Sequence, residues 1–186
     1  VTDYAGQNIR AAVTIEYEVK LNSSVIRFNL IDQLAVDSVV MNAQSLPFTH
    51  ADGLLTVQLA EAVPGNSYTI AVYYSGHPAR DPQWGGFYFE SAYIYSLGIG
   101  LSTIPPYFGK VWYPCFDSFV ERASYTYHIK SAGNFRAHCQ GEFIDEIQLG
   151  GDTVIRTFDF EPSIPTHIAS IAVADYRDST FIHAGA

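Results

Sequence analysis

The residues of this chain that could do chemistry are spaced against it. Its six histidines, His50, His77, His128, His138, His167 and His183, include no pair at the i, i+4 spacing that lets one helix face grip zinc. His138 and Cys139 are neighbours in a stretch that reads as a strand, so their side chains point to opposite faces and do not share an ion. Gly100-Leu101-Ser102-Thr103-Ile104 lacks the closing Gly of a nucleophile elbow, and Gly98-Ile99-Gly100 lacks the third Gly of a dinucleotide loop. Glu16 and Glu18 share one strand face and read as a solvated pair, and Asp145-Glu146 reads as loop solvation. No nucleophile, general base and orienting group converge, so no catalytic, cofactor-binding or metal-ligating residue is assigned in this chain.

The elements that would have to position such residues are strands. Val13, Ile15, Tyr17, Val19 and Leu21 alternate with Thr14, Glu16, Glu18 and Lys20, the period of a half-buried strand. Asn22-Ser23-Ser24 then reads as a turn into Ile26, Phe28 and Leu30, which predicts a hairpin. Further strands are expected at Val36–Asn42, Leu54–Leu59, Tyr68–Tyr74, Tyr88–Tyr95, Ala123–Lys130, Phe135–Glu142, Val154–Phe160 and Ile168–Tyr176, separated by Gly-, Pro- and Asn-containing turns. No window of ten or more residues carries a capped helical period. The pattern predicts an all-β fold, an antiparallel sandwich or multi-sheet assembly. Ile168–Ala174 is apolar on both faces and is expected to lie centrally. The stretch from His77 to Asp117, rich in Pro, Gly and interleaved aromatics, reads as a long loop that meets a partner or substrate.

Composition bounds what those strands can build. The 186 residues carry 10 Lys+Arg against 19 Asp+Glu, a net charge of −9, with 16% charged and 15% aromatic residues. Few charges and many aromatics exclude an intrinsically disordered chain. Only three lysines and a pI near 4.9 exclude a nucleic-acid backbone as partner. The length fits one β-domain over 1–186. No apolar run approaches the roughly 18 residues a membrane-spanning helix needs. Val1-Thr2-Asp3-Tyr4 lacks the features of a signal peptide, and both ends read as trimmed, so a fragment or mature product is expected. Cys115 and Cys139 are too few for a disulfide framework, and spacing alone neither requires nor forbids one bridge between them. The acidic, Lys-poor composition, with ends that read as trimmed after an export signal, points to the cell envelope or a secreted protein.

One block is more specific. Val111-Trp112-Tyr113-Pro114-Cys115-Phe116-Asp117, followed by Arg122, Ala123 and Tyr125, resembles the signature aromatic-P-C-F-D-E-P-x-x-K-A-x-F of the N-terminal domain of M1-family (gluzincin) zinc aminopeptidases. Pro165-Thr166-His167-Ile168-Ala169-Ser170-Ile171-Ala172-Val173-Ala174-Asp175-Tyr176 resembles that family's S-T-Y-L-x-A-F-x-V-G-D-F strand. Val39-Val40-Met41-Asn42 and Tyr74-Ser75-Gly76 fit the same order. The resemblance implies a saddle-like all-β domain that precedes a zinc-binding catalytic domain, packs on it in cis and helps to wall the peptide cleft. The H-E-x-x-H and G-x-M-E-N motifs of that catalytic domain are missing from these residues, so zinc is expected outside this chain and the chain alone is expected to be inactive. Tyr113, Pro114, Cys115, Phe116, Asp117 and Arg122 are then structural motif positions, with Cys115 a small buried hydrophobe and Asp117 a hydrogen-bonding carboxylate.

The chain also departs from the pattern. Ser118-Phe119 replace the E-P that follows the aspartate. Counting back without gaps puts Thr103 and Pro105 where the family has a substrate-contacting Gln and a Glu, so these two are candidate substrate contacts by position only. Thr is too short and Pro has no polar side chain to copy those contacts. That loss motivates a second reading, a catalytically inactive scaffold whose β-domain binds a protein. A third, a carbohydrate-binding sandwich, would use Trp84, Tyr88, Tyr93 and Trp112 as stacking platforms.

Overall fold

The computed structural model describes residues 4–177 and Ser179. Its regular elements are strands: β1 (Ile9–Glu18), β2 (Ser23–Asn29), β3 (Leu34–Met41), β4 (Gln44–Ser45), β5 (Phe48–Ala51), β6 (Leu54–Ala62), β7 (Ser67–Gly76), β8 (Gly85–Glu90), β9 (Tyr93–Gly100), β10 (Arg122–Ser131), β11 (Arg136–Cys139), β12 (Glu142–Gly150), β13 (Thr153–Pro165) and β14 (Ile171–Ala174). Two single 3-10 turns, Gly109–Val111 and Thr166–Ile168, interrupt them, and among the described residues there is no α-helix. The strands pair antiparallel in four sheets, ordered β1-β7-β3-β4, β2-β6-β5, β11-β14-β9-β8 and β10-β13-β12. The fold is therefore all-β and multi-sheet.

Period-two patterning delivers the core. In β2, Ile26 and Phe28 point inward while Val25 and Arg27 alternate with them, and β6 and β7 add Leu55, Val57, Ile70, Val72 and Tyr74. Phe28, Leu30, Leu34, Leu55 and Val57 are fully buried, each side chain removing apolar surface worth about 1.5–3 kcal/mol. One continuous cluster runs from these residues through Phe87, Ile94, Tyr113 and Cys115 to Phe158 and Val173, and so joins all four sheets.

Several sequence expectations are corrected. The predicted first hairpin does not form: β1 pairs along its whole length with β7, from Ile9↔Gly76 to Glu18↔Ser67, and β2 pairs with β6 in another sheet. Alternation fixes which face of a strand is buried but not its partner, and the corner at Lys20–Asn22 carries the chain between sheets. Tyr88–Tyr95 is two strands, because Ser91 takes a left-handed φ of 49° and folds β8 back on β9. The segment His77–Asp117 therefore contains a hairpin as well as loops.

Phe135–Glu142 is also split. Gly141 sits at φ 102°, where a Cβ would lie 2.1 Å from the Asp159 carbonyl, and the chain turns there from β11 into β12. Asp145 and Glu146 consequently lie in β12 rather than in a loop, and the Glu146 carboxylate pairs with Arg156 at 2.7 Å and Arg136 at 3.4 Å. Of Ile168–Tyr176 only Ile171–Ala174 is strand; it lies between β11 and β9, which matches its apolar pattern on both faces. Both cysteines are free, Cys115 buried and Cys139 half-buried.

Candidate functional site

The Tyr113–Asp117 block is the staple between the sheets. The Asn29 N–H donates to the Cys115 carbonyl at 2.8 Å, and the Cys115 N–H returns to the Asn29 carbonyl at 3.2 Å, which docks the block on the end of β2. Phe116 packs on Phe28 with ring centroids 5.0 Å apart. The Tyr113 hydroxyl donates to the Thr166 carbonyl at 2.5 Å, and the Thr166 hydroxyl donates to the Phe116 carbonyl at 3.0 Å, so block and 3-10 turn clasp each other. Asp117 accepts the N–H groups of Gly109 at 3.0 Å and Lys110 at 3.3 Å, closing the other 3-10 turn. Arg122, at the start of β10, donates twice to the Ser163 carbonyl, at 3.1 and 2.7 Å.

Burial shifts the acidities across this block. Burial pushes the Cys115 thiol well above its usual range, and the neighbouring Asp117 adds to that, so no thiolate nucleophile is available. Burial likewise raises Tyr113, and lifts Tyr125 to about 12. Burial also raises Asp117, with the Lys110 and Gly109 N–H groups opposing it only in part. Cys139 is pushed up to about 12 by burial. Among the described residues no three His, Cys, Asp or Glu side chains come together as a metal site, so a zinc ion has no ligand set here.

The exposed features lie on the adjoining face. Leu101–Pro106 follows β9 as a surface loop whose backbone links include the Gly100 N–H to the Pro106 carbonyl, the Leu101 N–H to the Trp84 carbonyl, the Thr103 N–H to the Gly100 carbonyl and the Phe108 N–H to the Gly98 carbonyl. Thr103 and Pro105 share this loop. The Thr103 hydroxyl donates back to the Gly100 carbonyl at 2.7 Å, and Pro105, exposed, follows a cis peptide bond from Ile104. Around the loop stand large apolar side chains in the open: Trp84, Ile99, Leu101, Ile104 at 98% exposure, Phe119 and Val120 at 81%. Tyr107 pairs by a backbone bridge with Ile99 and meets Phe119 edge-on at 5.1 Å, and Phe119 meets His167 edge-on at 5.0 Å. A shallow groove of ≈ 250 Å³ lies between Trp84, Ile99, His167 and Ile168. No Asp, Glu, Lys or Arg lines the groove, and exposed apolar patches rimmed by polar groups mark interaction surfaces.

Sequence reasoning missed the residue that organises this face. Asp81 is only 2% exposed and accepts hydrogen bonds from Gln83, Trp84 and Ser102. Its only sequence signal is a turn-forming Asp-Pro pair. The proposed stacking aromatics do not form one platform: Tyr88 is buried against Tyr95, Trp112 is half-buried, and Trp84 and Tyr93 sit at opposite ends of the β8–β9 hairpin, roughly 20 Å apart by strand rise.

No family model matches the chain, and no curated protein sequence does. Solved structures do. A two-domain M1 zinc metallopeptidase mutant with L-arginine bound superposes with a TM-score of 0.81 at 20% identity, over 90% of this chain and 38% of the other. An M1 zinc metallopeptidase from Deinococcus radiodurans gives 0.80 at 20% identity with the same coverage. A mutant from that organism with a Tyr-Ser-Ala substrate bound gives 0.81 at 21% identity. This chain has the fold of the M1 N-terminal β-domain. The M1-type β-domain seen here thus spans 38% of the length of these relatives, and at such identity the likeness concerns fold. No helix among its described residues is long and apolar enough to cross a membrane.

Proposed function

We propose that this chain is a single β-domain over 1–186, the non-catalytic N-terminal part of an M1-type zinc aminopeptidase. In this reading it packs on a catalytic domain in cis and walls the peptide cleft with the Leu101–Pro106 loop. The observation that carries the reading is the exposure of the large apolar side chains Trp84, Ile99, Leu101, Ile104, Phe119 and Val120 on and around this loop. The coverage of little more than a third of each relative supports it, since the uncovered part is what such a face would meet. Zinc belongs to that other part, and the β-domain contributes surface and position only.

The test compares this chain alone with the same chain joined to the polypeptide that follows it. Amide exchange at Trp84, Leu101 and Ile104 should slow in the joined protein. Replacing Ile104 and Val120 by Ser should change the stability of the isolated chain by no more than about 0.5 kcal/mol while weakening docking of the separately expressed remainder. Unchanged exchange in the joined protein overturns the packing role. Zinc-dependent release from an aminoacyl-anilide by the isolated chain overturns the non-catalytic role.

A second reading is favoured by one contact: the Thr103 hydroxyl proton is committed to the Gly100 carbonyl. With Pro105 beside it, the loop offers a peptide amino terminus no carboxylate or amide. A catalytically inactive parent whose β-domain binds a protein would tolerate that. An H-E-x-x-H sequence with a later Glu in the following polypeptide decides for the enzyme, and its absence for the scaffold.

A further inference from the structure

Two loops of the exposed face, one before β8 and one after β9, share one carboxylate, beside the Leu101 N–H that donates to the Trp84 carbonyl. Asp81 Oδ1 accepts the N–H of Gln83 at 2.9 Å and of Trp84 at 3.0 Å, closing an Asx turn over Pro82. Across 21 positions of sequence it also takes Ser102, whose N–H lies 3.0 Å from Oδ2 and 3.2 Å from Oδ1 and whose hydroxyl donates to Oδ1 at 3.1 Å. The backbone is built close around this group. A Cβ on Gly100 would stand 2.9 Å from Asp81 Oδ2, and one on Gly86 would stand 2.6 Å from the Ala79 carbonyl and 3.0 Å from the Asp81 nitrogen. Both positions are glycine, so the loops approach the carboxylate directly. The Asp81 N–H donates in turn to the Gly85 carbonyl at 3.0 Å.

We propose that Asp81 is a positioning residue, which fixes the Trp84 turn and the Leu101–Pro106 loop as one preformed surface. What that surface meets rests on the reading given under Proposed function; the coupling itself does not. Neither loop has regular structure to hold it. Without the carboxylate, the Leu101 N–H to the Trp84 carbonyl is the backbone link between the two loops that remains, and the other ties of the Ser102 loop, from Gly100 to Pro106, Thr103 to Gly100 and Phe108 to Gly98, lie on its own side. A surface that is ordered before it meets its partner loses less conformational freedom on binding.

The chemistry of the side chain supplies a selective test. In Asp81→Asn the carbonyl oxygen kept at Oδ1 can still accept from Gln83, Trp84 and the Ser102 hydroxyl, but the amide nitrogen at Oδ2 is a donor facing the Ser102 N–H, which loses its nearer acceptor. Amide exchange by NMR in the 186-residue chain should therefore rise at least about tenfold at Ser102 and Thr103 with Gln83 and Trp84 unchanged. Asp81→Ala should raise exchange at all four positions. Ser102→Ala, which removes only the hydroxyl donor, should give a smaller rise confined to the loop and serves where the Asp81 variants fail to fold. Equal exchange at Ser102 in the parent chain and in Asp81→Asn, or in Ser102→Ala where that variant stands in, overturns the proposal. In the protein joined to its catalytic part, Asp81→Asn should raise KM for peptides about fivefold with kcat within about twofold. A fall in kcat at unchanged KM overturns the surface role. Faster exchange in a joined protein that cleaves no peptide leaves the clamp standing and removes the peptidase reading instead.

Discussion

Asp81 and Asp117 are both almost fully buried, and each ties a loop to the sheets by accepting backbone N–H groups. Their acidities move in opposite directions. At Asp81 burial acts to raise the carboxyl, but the N–H groups of Trp84, Gln83 and Ser102 with the Ser102 hydroxyl outweigh it and hold the group below its usual range. At Asp117 burial again acts upward, and the Lys110 and Gly109 N–H groups with the Lys110 and His167 charges do not offset it, so the carboxyl lies above its usual range. The same residue type is a stabilised anion in one loop and a strained anion in the other. Donor count against dehydration decides the sign. The difference follows the surroundings: Asp81 supports turns whose residues Gln83, Trp84 and Ser102 are exposed, whereas Asp117 faces the buried Gly109 beside the staple block.

The sharpest way to break this comparison is truncation. Asp117→Ala leaves the Gly109 and Lys110 N–H groups without their acceptor and should cost about 3 kcal/mol, read from the urea midpoint. Asp81→Ala should lower the midpoint less, because water reaches its exposed donors. If the two cost the same, burial of the donors is not what separates the loops.

The neighbouring glycines sharpen it further. A Cβ on Gly109 would meet Asp117 Oδ1 at 3.0 Å and the His167 backbone at 3.2 Å, whereas on Gly100 it would meet Asp81 Oδ2 at 2.9 Å and the movable Phe108 ring at 3.0 Å. Gly109→Ala should therefore cost about 2 kcal/mol in thermal unfolding, and Gly100→Ala about 1 kcal/mol or less. The reverse order would place the rigid contact at the wrong aspartate.

The smallest effect is in pH. Asp81, depressed in the fold, stabilises above its unfolded pKa and loses that contribution as pH falls through its folded value, below the usual carboxylate range. Asp117, raised in the fold, gives its stabilising contribution at low pH and loses it as pH rises through its folded value, above that range. The stability gap between the unsubstituted chain and Asp81→Asn should accordingly shrink below about pH 4, while the gap to Asp117→Asn should widen as pH falls from 7 toward 4. Denaturation midpoints followed across pH 3–7 check both slopes, and parallel slopes would sink the contrast.

Much of the fold was legible in particular residues. Val13 through Lys20 announces a half-buried strand, and β1 alternates as expected, with Glu16 and Glu18 on its exposed side. Ile171–Ala174, apolar on both faces, lies inside its sheet. The Tyr113–Asp117 block stood out by its residue order; Cys115 in it is buried, and Asp117 accepts the Gly109 N–H. Turns without a glycine or asparagine signal were not legible: Ser91, at positive φ, reverses the chain inside what reads as one strand. Nor was Asp81, since its partner Ser102 is brought to it by a hairpin that local pattern did not reveal.

All-β character, acidity and aromatic richness were readable from residue order alone, because side-chain alternation and turn chemistry act over a few residues. The sequence also contained the block that joins the sheets. Long-range packing set the rest: β1 pairs with β7 rather than with β2, Glu146 belongs to an ion-paired strand, and Asp81 and Asp117 differ in acidity. Those outcomes depend on which surfaces cover which, and on how many N–H groups reach a carboxylate once water has left it. Both are properties of contacts between residues far apart in the chain, and no local pattern carries them.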